Sequence, residues 1–125
     1  MLTTARSRRA MVVAPHALAA GSGQAVLREG GNALEAAVAM AATAGVVQPP
    51  LAAPGGDGVW LIHQPGEAPV AIDATGAAAE AATPDAYAAA GHAAVPERGP
   101  AAAATVAGAV SGWQAALDLA RRRGG

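Results

Sequence analysis

The sequence of 125 residues contains no cysteine and no phenylalanine, and it has only two tryptophans and one tyrosine. Without cysteine, the chain can form neither a disulfide framework nor a thiolate metal site, and this fits a reducing compartment. Alanine supplies most of the 53% of residues that are hydrophobic. Each alanine buries little apolar area, which is worth about 25 cal/mol per Å². We therefore expect closely packed alanine-rich helices that need further protein surface for their burial.

Strong net charge and long apolar segments are also missing. The formal net charge of −1 argues against an electrostatic grip on nucleic acid or on an anionic membrane. The arginines at residues 6–9 and 121–123 are interpreted as solvated charge. No apolar stretch approaches the ~20 residues of a membrane span, and none has the pattern of a secretory signal. The sequence thus predicts a cytoplasmic protein with no nucleic-acid or membrane partner.

The first part of the chain predicts a strand followed by two helices. Residues 10–14 form a short apolar run closed by Pro15, which is typical of a strand, and residues 17–29 favour a helix. A glycine pair follows, and Gly30 suits the left-handed conformation beyond a helix end. The next helix is predicted over residues 33–44, where nearly every residue is apolar, as in a helix that a larger protein buries on all sides.

Both ends of this second helix carry sequence signals. Asn32 is a favourable N-cap residue, and Glu35 stands three positions later, where its carboxylate can reach the amide of the cap. Gly45 is expected to end the helix. We assign structural roles to this junction and to a later glycine-rich loop, namely to Gly30, Gly31, Asn32, Glu35, Gly55, Gly56, Asp57 and Gly58.

The second half of the chain predicts a hairpin and two more helices. Residues 59–63 and 70–73 are rich in β-branched and apolar side chains, and a turn sequence separates them. Thr83 precedes a proline and an acid, which marks the start of a short helix. Residues 101–106 fit either a helix or a strand, and a last helix is expected to begin at residue 108 or 111 and to end at Arg123.

The chain offers few groups for catalysis or metal binding. His16, His63 and His92 lack the spacing of metal-ligand motifs, so neither a metal site nor a cofactor is expected. The loop at residues 55–58 precedes a strand and contains an acid. Close backbone packing is therefore favoured over a phosphate cradle at this loop.

The N-terminus supplies a candidate for an amino-terminal nucleophile. Such a nucleophile needs a threonine, serine or cysteine whose freed α-amine serves as its base. Thr3 would become N-terminal only after removal of Met1 and Leu2, and no sequence signal indicates that removal. Residues 1–9 are expected to form a disordered tail, and no catalytic residue is assigned to this chain.

Four blocks of sequence, in order, resemble the start of the large subunit of γ-glutamyltransferase-family proenzymes. The blocks lie at residues 11–19, 30–49, 55–63 and 105–113. The second begins with the glycine pair and Asn32, and the third is the glycine-rich loop with the strand that follows it. Together the blocks span almost the whole chain.

The resemblance implies an α+β fold, the N-terminal fragment of an αββα amino-terminal-nucleophile hydrolase sandwich with buried alanine-rich helices and a β-hairpin. It implies a single partial domain over residues 1–125, in which residues 10–125 start the large subunit. It also implies a proenzyme that cuts itself, so that a threonine outside this chain attacks a γ-glutamyl or related amide. The implied partners are the remainder of the proenzyme, or a separately encoded small subunit, and a small amide substrate. The chain alone is expected to be inactive.

One departure from the family pattern concerns substrate binding. Typical members carry an arginine just after the second hairpin strand, which grips the α-carboxylate of the substrate by a bidentate pair. Residues 73–78 contain no arginine, and loss of such a pair costs about 1.5–3 kcal/mol of binding. Thr75 and Gly76 lie in this region and are expected to border a different acyl pocket, as in γ-glutamyltransferase-like amidohydrolases.

Other hypotheses remain open from the sequence. The chain can be a non-enzymatic module, either a truncated remnant or a subunit that docks onto a separately encoded partner. A small alanine-rich helical interaction domain is disfavoured, because the hairpin and the four blocks do not fit it.

Overall fold

The four helices and the hairpin expected from the sequence are present in the computed structural model, which describes residues 4–103 and 105–123. The helices are α1 at Ala17–Arg28, α2 at Ala33–Val47, α3 at Pro84–Ala89 and α4 at Ala109–Arg122, and the strands are β1 at Gly58–Ile62 and β2 at Val70–Ala74. The strands pair antiparallel. None of the described helices is both long and apolar enough to span a bilayer.

A glycine pair ends α1 in a Schellman motif. Gly30 has a φ of +95°, and its amide donates to the carbonyl of Leu27 at 3.4 Å. The amide of Gly31 donates to the carbonyl of Val26 at 2.9 Å, so both unpaired carbonyls find partners. A Cβ on Gly31 would lie 2.5 Å from Cγ1 of Val26, and this close approach explains the second glycine.

The capping box predicted at the start of α2 is present. Asn32 Oδ1 accepts the amides of Leu34 and Glu35 at 2.9 and 3.0 Å, and the Glu35 carboxylate accepts the amide of Asn32 at 2.8 Å. We expect Asn32→Ala to lower the free energy of unfolding by about 0.5–2 kcal/mol, because the cap acceptor is lost. Denaturant unfolding followed by circular dichroism measures the change. Asn32→Asp retains an acceptor and serves as the control, so equal losses in the two variants would contradict this role.

Small residues allow α1 to pack closely along α2. Ala19 and Ala36 are buried, and a Cβ on Gly23 would lie 3.2 Å from the carbonyl oxygen of Ala36. Thr43 Oγ1 on α2 lies 2.9 Å from Ser22 Oγ on α1, which links the two helices through hydroxyl groups. The alanine-rich composition thus allows α1 and α2 to pack closely on each other, while the packing of these helices on further protein surface stays a prediction.

One face of the hairpin packs against α4, and the opposite face is exposed. A Cβ on Gly112 of α4 would lie 2.8 Å from the Cβ of Ala74 and 3.1 Å from Nε1 of Trp60. On the opposite face, Val59 and Leu61 are 73% and 80% exposed. The hairpin therefore presents uncovered apolar side chains.

The total surface is large for the size of the chain. It amounts to 8903 Å², whereas a compact protein of this mass exposes about 6,000 Å². Among the described residues, every buried apolar residue is an alanine except Ile62. Helix and sheet faces that are suited to burial therefore remain open.

Two predictions about the N-terminal half are wrong. Residues 10–14 pair with no strand of the described part, and Val13 in this segment is 81% exposed. Gly45 does not end α2, which continues to Val47. A Cβ on Gly45 would lie 2.9 Å from the carbonyl oxygen of Ala52, so this glycine serves close packing against the next loop. The predicted tail at residues 1–9 lies partly outside the described residues, and its disorder stays a prediction.

Candidate functional site

The turn that follows β2 contains Thr75 and Gly76, the two residues predicted to border an acyl pocket. Asp73 Oδ1 accepts the hydroxyl of Thr75 at 2.8 Å and the amide of Thr75 at 3.1 Å. Gly76 has a φ of +75°, a backbone conformation that favours glycine. The two hydrogen bonds hold the Thr75 side chain against Asp73.

The segment that precedes α4 runs beside this turn. Thr105 forms an isolated antiparallel bridge with Ala78, and the amide of Val106 donates to the carbonyl of Ala77 at 2.9 Å. A short 3₁₀ helix at Pro100–Ala102 comes before the bridge. The ambiguous residues 101–106 therefore include both a helical turn and a strand-like contact.

Two glycines make this contact very close. A Cβ on Gly76 would overlap the carbonyl oxygen of Val106, and a Cβ on Gly108 would overlap the carbonyl oxygen of Ala74. Protein interiors leave no spare room for such an added group. The turn after β2 and the start of α4 are thereby fixed relative to each other.

The glycine-rich loop at residues 55–58 meets the same region. The carbonyl oxygen of Gly56 accepts the amides of Gly108 and Ala109 at 3.1 and 2.9 Å. It thereby satisfies amides at the start of α4 that lack a partner within the helix. A Cβ on Gly58 would lie 3.6 Å from Cα of Ala109, whereas one on Gly55 would meet nothing within 4 Å. The loop acts as a helix-end acceptor, a role that the sequence did not indicate.

These elements border an open cavity of ≈ 500 Å³, a volume within the range of about 300–1,000 Å³ that is usual for small-molecule sites. It is lined by the turn after β2, the segment before α4 and the first turn of α4, namely by Asp73, Ala74, Thr75, Gly76, Ala77, Val106, Ala107, Gly108 and Ser111. Asp73 is the only charged residue in this lining. The hydroxyl of Ser111 donates to the carbonyl of Gly108 at 2.7 Å.

The carboxyl of Asp73 has a lowered pKa. The hydroxyl of Thr75, and then its amide, stabilise the ionised form and hold the pKa of Asp73 below its ordinary value of 3.8. Because the folded pKa is depressed, the carboxylate contributes stability above its unfolded pKa, and this contribution is lost as the pH falls through the folded value.

An NMR titration of the Asp73 side chain tests this assignment. We expect a midpoint below 3.8 in the unmodified chain and a higher midpoint in Thr75→Val, which lacks the hydroxyl donor. Thr4→Val, the same change at an exposed residue, is the control and should leave the Asp73 midpoint unchanged. An unaltered midpoint in Thr75→Val would contradict the role of the hydroxyl.

A second groove lies at the turn end of the hairpin, between the start of α2, β1 and the end of α4. Its volume is ≈ 480 Å³, and Asn32 and Arg123 are among its polar residues. Asn32 is committed to the cap of α2, and Arg123 pairs with Glu67 at 2.6 Å. These two groups are used within the fold, whereas the cavity beside Thr75 contains both residues that the sequence predicts to bind substrate, so we take that cavity as the candidate site.

The histidines noted from the sequence do not gather into a site. His16 Nδ1 accepts the amide of Leu18 at 3.1 Å and caps α1, which the sequence did not indicate. His63 follows β1 and His92 follows α3. Among the described residues, no three His, Asp or Glu side chains are grouped as metal ligands. Thr3, the candidate nucleophile, lies outside the described residues.

The sequence indicated the turn after β2 as a candidate site, but it did not indicate the residues that lie across the cavity from this turn. Val106, Gly108 and Ser111 reach the cavity only through the fold, because they lie far along the chain from Thr75. Gly108 and Ser111 carry a sequence signal as a possible helix start. That signal gives no indication of what the helix start contacts.

The chain is similar in sequence to a family model and to two curated proenzymes. A family model described as gamma-glutamyltranspeptidase matches residues 19–120. An oxamate amidohydrolase proenzyme of Klebsiella pneumoniae is 56% identical over 115 residues, which are 92% of this chain and 21% of that protein. A glutathione hydrolase-like proenzyme of Bacillus subtilis is 43% identical over 108 residues, which are 86% of this chain and 20% of that protein. The chain thus spans about a fifth of the length of these curated relatives.

Solved structures have the same fold over most of the chain. The crystal structure of Helicobacter pylori gamma-glutamyltranspeptidase matches with a TM-score of 0.83 and 34% identity, over 94% of this chain and 34% of that one. The gamma-glutamyltranspeptidase from Pseudomonas nitroreducens complexed with L-DON matches with a TM-score of 0.77 and 32% identity, over 88% of this chain and 33% of that one.

Proposed function

Because the chain belongs to the gamma-glutamyltranspeptidase family, we propose that it is the first part of the large subunit of a γ-glutamyltransferase-like acyltransferase or amidohydrolase. The observation that carries the proposal is the family match over residues 19–120. In the proposed reaction the hydroxyl of a threonine outside this chain attacks an amide carbon, the C–N bond breaks and the amine or ammonia leaves. The acyl group of the resulting ester then passes to water or to another amine, which frees the threonine hydroxyl. This chain would contribute scaffold and part of the substrate site.

The proposed partner is the remainder of the proenzyme. Val59 and Leu61 leave an apolar sheet face open, and the total surface of 8903 Å² exceeds the compact value of about 6,000 Å² by an amount that a large, obligate interface would cover. Two relatives are named as proenzymes. A truncated, non-enzymatic remnant would present the same open face, so a functional assay has to separate the two.

We place the amide substrate beside Thr75 and Gly76. An α-carboxylate clamp requires a basic side chain, and none of the residues that line this cavity is basic. A relative is named for oxamate, a small primary amide that carries a carboxylate of its own, and this name supports a small amide substrate whose carboxylate is held by residues other than those of this cavity. Hydrolysis of such an amide is therefore the activity that we favour for the whole protein.

A segment exchange tests the proposed function. In the Klebsiella proenzyme, the matched segment is replaced by that of this chain, which is 56% identical to it. We expect the exchanged protein to cleave itself and to release ammonia from oxamate. The 125-residue chain alone should release none, since no nucleophile is assigned to it. An exchanged protein that folds but hydrolyses neither oxamate nor a γ-glutamyl anilide would favour the remnant.

A further inference from the structure

We propose that residues 79–103 form a flap that swings about the bridge between Ala78 and Thr105, and that this movement reshapes the candidate cavity. The hairpin and α4 stay folded during the movement. The effect on the cavity rests on the proposed function, whereas the movement itself does not. The flap has few contacts with the rest of the chain, and the chain just beyond its two ends is packed tightly.

The flap is held weakly. It contains α3, and no Cα of α3 lies within 8 Å of a Cα in another described helix or strand. Each residue of 79–103 is at least partly exposed, and Val95 is 52% exposed. In the described part of the chain, the hydrogen bonds of this segment stay within it, as does the bond from the Tyr87 hydroxyl to the carbonyl of Ala101 at 2.9 Å. A segment with so few buried contacts opens at a small cost in free energy.

The chain on either side of the flap is fixed. The carbonyl oxygen of Val106 leaves no room for a Cβ on Gly76. The carbonyl oxygen of Ala74 likewise leaves no room for a Cβ on Gly108, and the amide of Gly108 donates to the carbonyl of Gly56 at 3.1 Å. These contacts hold both ends of the flap on the hairpin and on α4, so the flap can move while those elements stay in place.

The bridge between Ala78 and Thr105 lies between the flap and these fixed contacts. The two residues stand opposite each other, and beside them the amide of Val106 donates to the carbonyl of Ala77 at 2.9 Å. Since this bond flanks the pair, Ala78 and Thr105 form a non-hydrogen-bonded pair, in which the Cα atoms are typically about 4.5 Å apart. Hinges are usually a few loop residues of this kind, which absorb the change in backbone angles.

The hinge adjoins the wall of the candidate cavity. Ala77 and Val106 line that cavity, whereas no residue of 79–103 does. When the flap swings, the hydrogen bond between Ala77 and Val106 lengthens or breaks, and the part of the wall that these residues form moves with it. Loop movements of this kind limit the turnover of many enzymes, because they control closure over the substrate and release of the product.

A disulfide across the hinge tests the movement. The chain contains no cysteine, so Ala78→Cys combined with Thr105→Cys creates a single possible disulfide within it, and a Cα spacing of about 4.5 Å suits that bond. Hydrogen exchange of the Val106 amide, followed by NMR of the 125-residue chain, measures opening of the hinge. We expect this exchange to slow about thirtyfold or more when the double variant is oxidised, as a disulfide of ordinary strength gives. The same double variant reduced with dithiothreitol is the matched control and should exchange like the unmodified chain.

A second amide separates movement of the flap from unfolding of the chain. The amide of Gly112 donates to the carbonyl of Gly108 at 2.9 Å within α4. We expect its exchange to accelerate with urea as global unfolding does, and the exchange of Val106 in the unmodified chain to be insensitive to low urea concentrations. Equal exchange of Val106 in the oxidised and reduced forms would overturn the flap, and so would the same urea dependence at Val106 and Gly112.

The segment-exchanged proenzyme tests the effect on the cavity. We expect the same disulfide to remove most of its oxamate hydrolysis and dithiothreitol to restore it. The exchanged proenzyme without the two cysteine substitutions, treated in the same way, is the control. Unchanged turnover in the oxidised form would overturn the link between the flap and the cavity. An exchanged proenzyme that is inactive without the substitutions would refute the proposed function and the effect on the cavity together, whereas hydrogen exchange at Val106 still decides whether the flap moves.

Discussion

Replacement of Gly76 by alanine is expected to lower the free energy of unfolding by about 2–5 kcal/mol. The residue has a φ of +75°, and an alanine in that conformation costs about 1–2 kcal/mol. An added Cβ would also overlap the carbonyl oxygen of Val106, and relief of overpacking typically costs a further ~1–3 kcal/mol. Urea unfolding followed by circular dichroism measures the loss.

The variant Gly66→Ala separates the conformational cost of an alanine at positive φ from the cost of the added contact with Val106. Gly66 has a φ of +87°, but a Cβ there would meet no atom within 4 Å. Gly66→Ala should therefore cost only the conformational part, about 1–2 kcal/mol. Equal losses in Gly76→Ala and Gly66→Ala would contradict the close approach of Val106 to the turn.

Gly108→Ala is expected to be the second most damaging change, with a loss of about 1–3 kcal/mol or more. Gly108 has a φ of −105°, which any residue adopts, so backbone strain plays no part. The cost comes from the added Cβ, which would overlap the carbonyl oxygen of Ala74. Because Gly108 also donates to the Gly56 carbonyl, we expect a shift of the start of α4, visible as changed amide signals at Ala109 and Ser111.

Gly21 in α1 is the matched control for Gly108. A Cβ at this position would meet nothing within 4 Å, and alanine is the better helix former by roughly 0.5–1 kcal/mol. Gly21→Ala should therefore stabilise the chain slightly. Thermal unfolding of both variants compares them, and a Gly108→Ala chain as stable as the unmodified one would refute the tight packing at the start of α4.

The sequence predicted best those features that depend on neighbouring residues. The box of Asn32 and Glu35 and the cap at Thr83 are formed within one helical turn, and both are present. The hairpin was also predicted, because its two strands are close in sequence and joined by a short turn. Local hydrogen bonding and alternation suffice for these elements.

Predictions from the sequence were wrong where a contact between residues far apart in the chain determines the local structure. Residues 10–14 have the composition of a strand, but no strand of the described part pairs with them. Gly45 resembles a helix terminator, yet its missing side chain makes room for the carbonyl of Ala52. Neither outcome can be derived from a window of neighbouring residues.

The candidate site was found only in part for the same reason. The sequence indicated Thr75 and Gly76 because this segment lacks the arginine that typical family members carry after the second hairpin strand. The contact of Gly76 with Val106, and the position of Ser111 on the cavity, depend on how the segment before α4 packs on the hairpin.

The most direct test of the account is a crystal structure of the segment-exchanged proenzyme with a slowly hydrolysed primary amide bound. The account predicts that an atom of the bound amide lies within about 4.5 Å of Thr75. It also predicts that the ligand contacts Gly76. A ligand bound at the catalytic threonine with no atom within about 4.5 Å of residues 73–76 would contradict the placement of the substrate in this cavity.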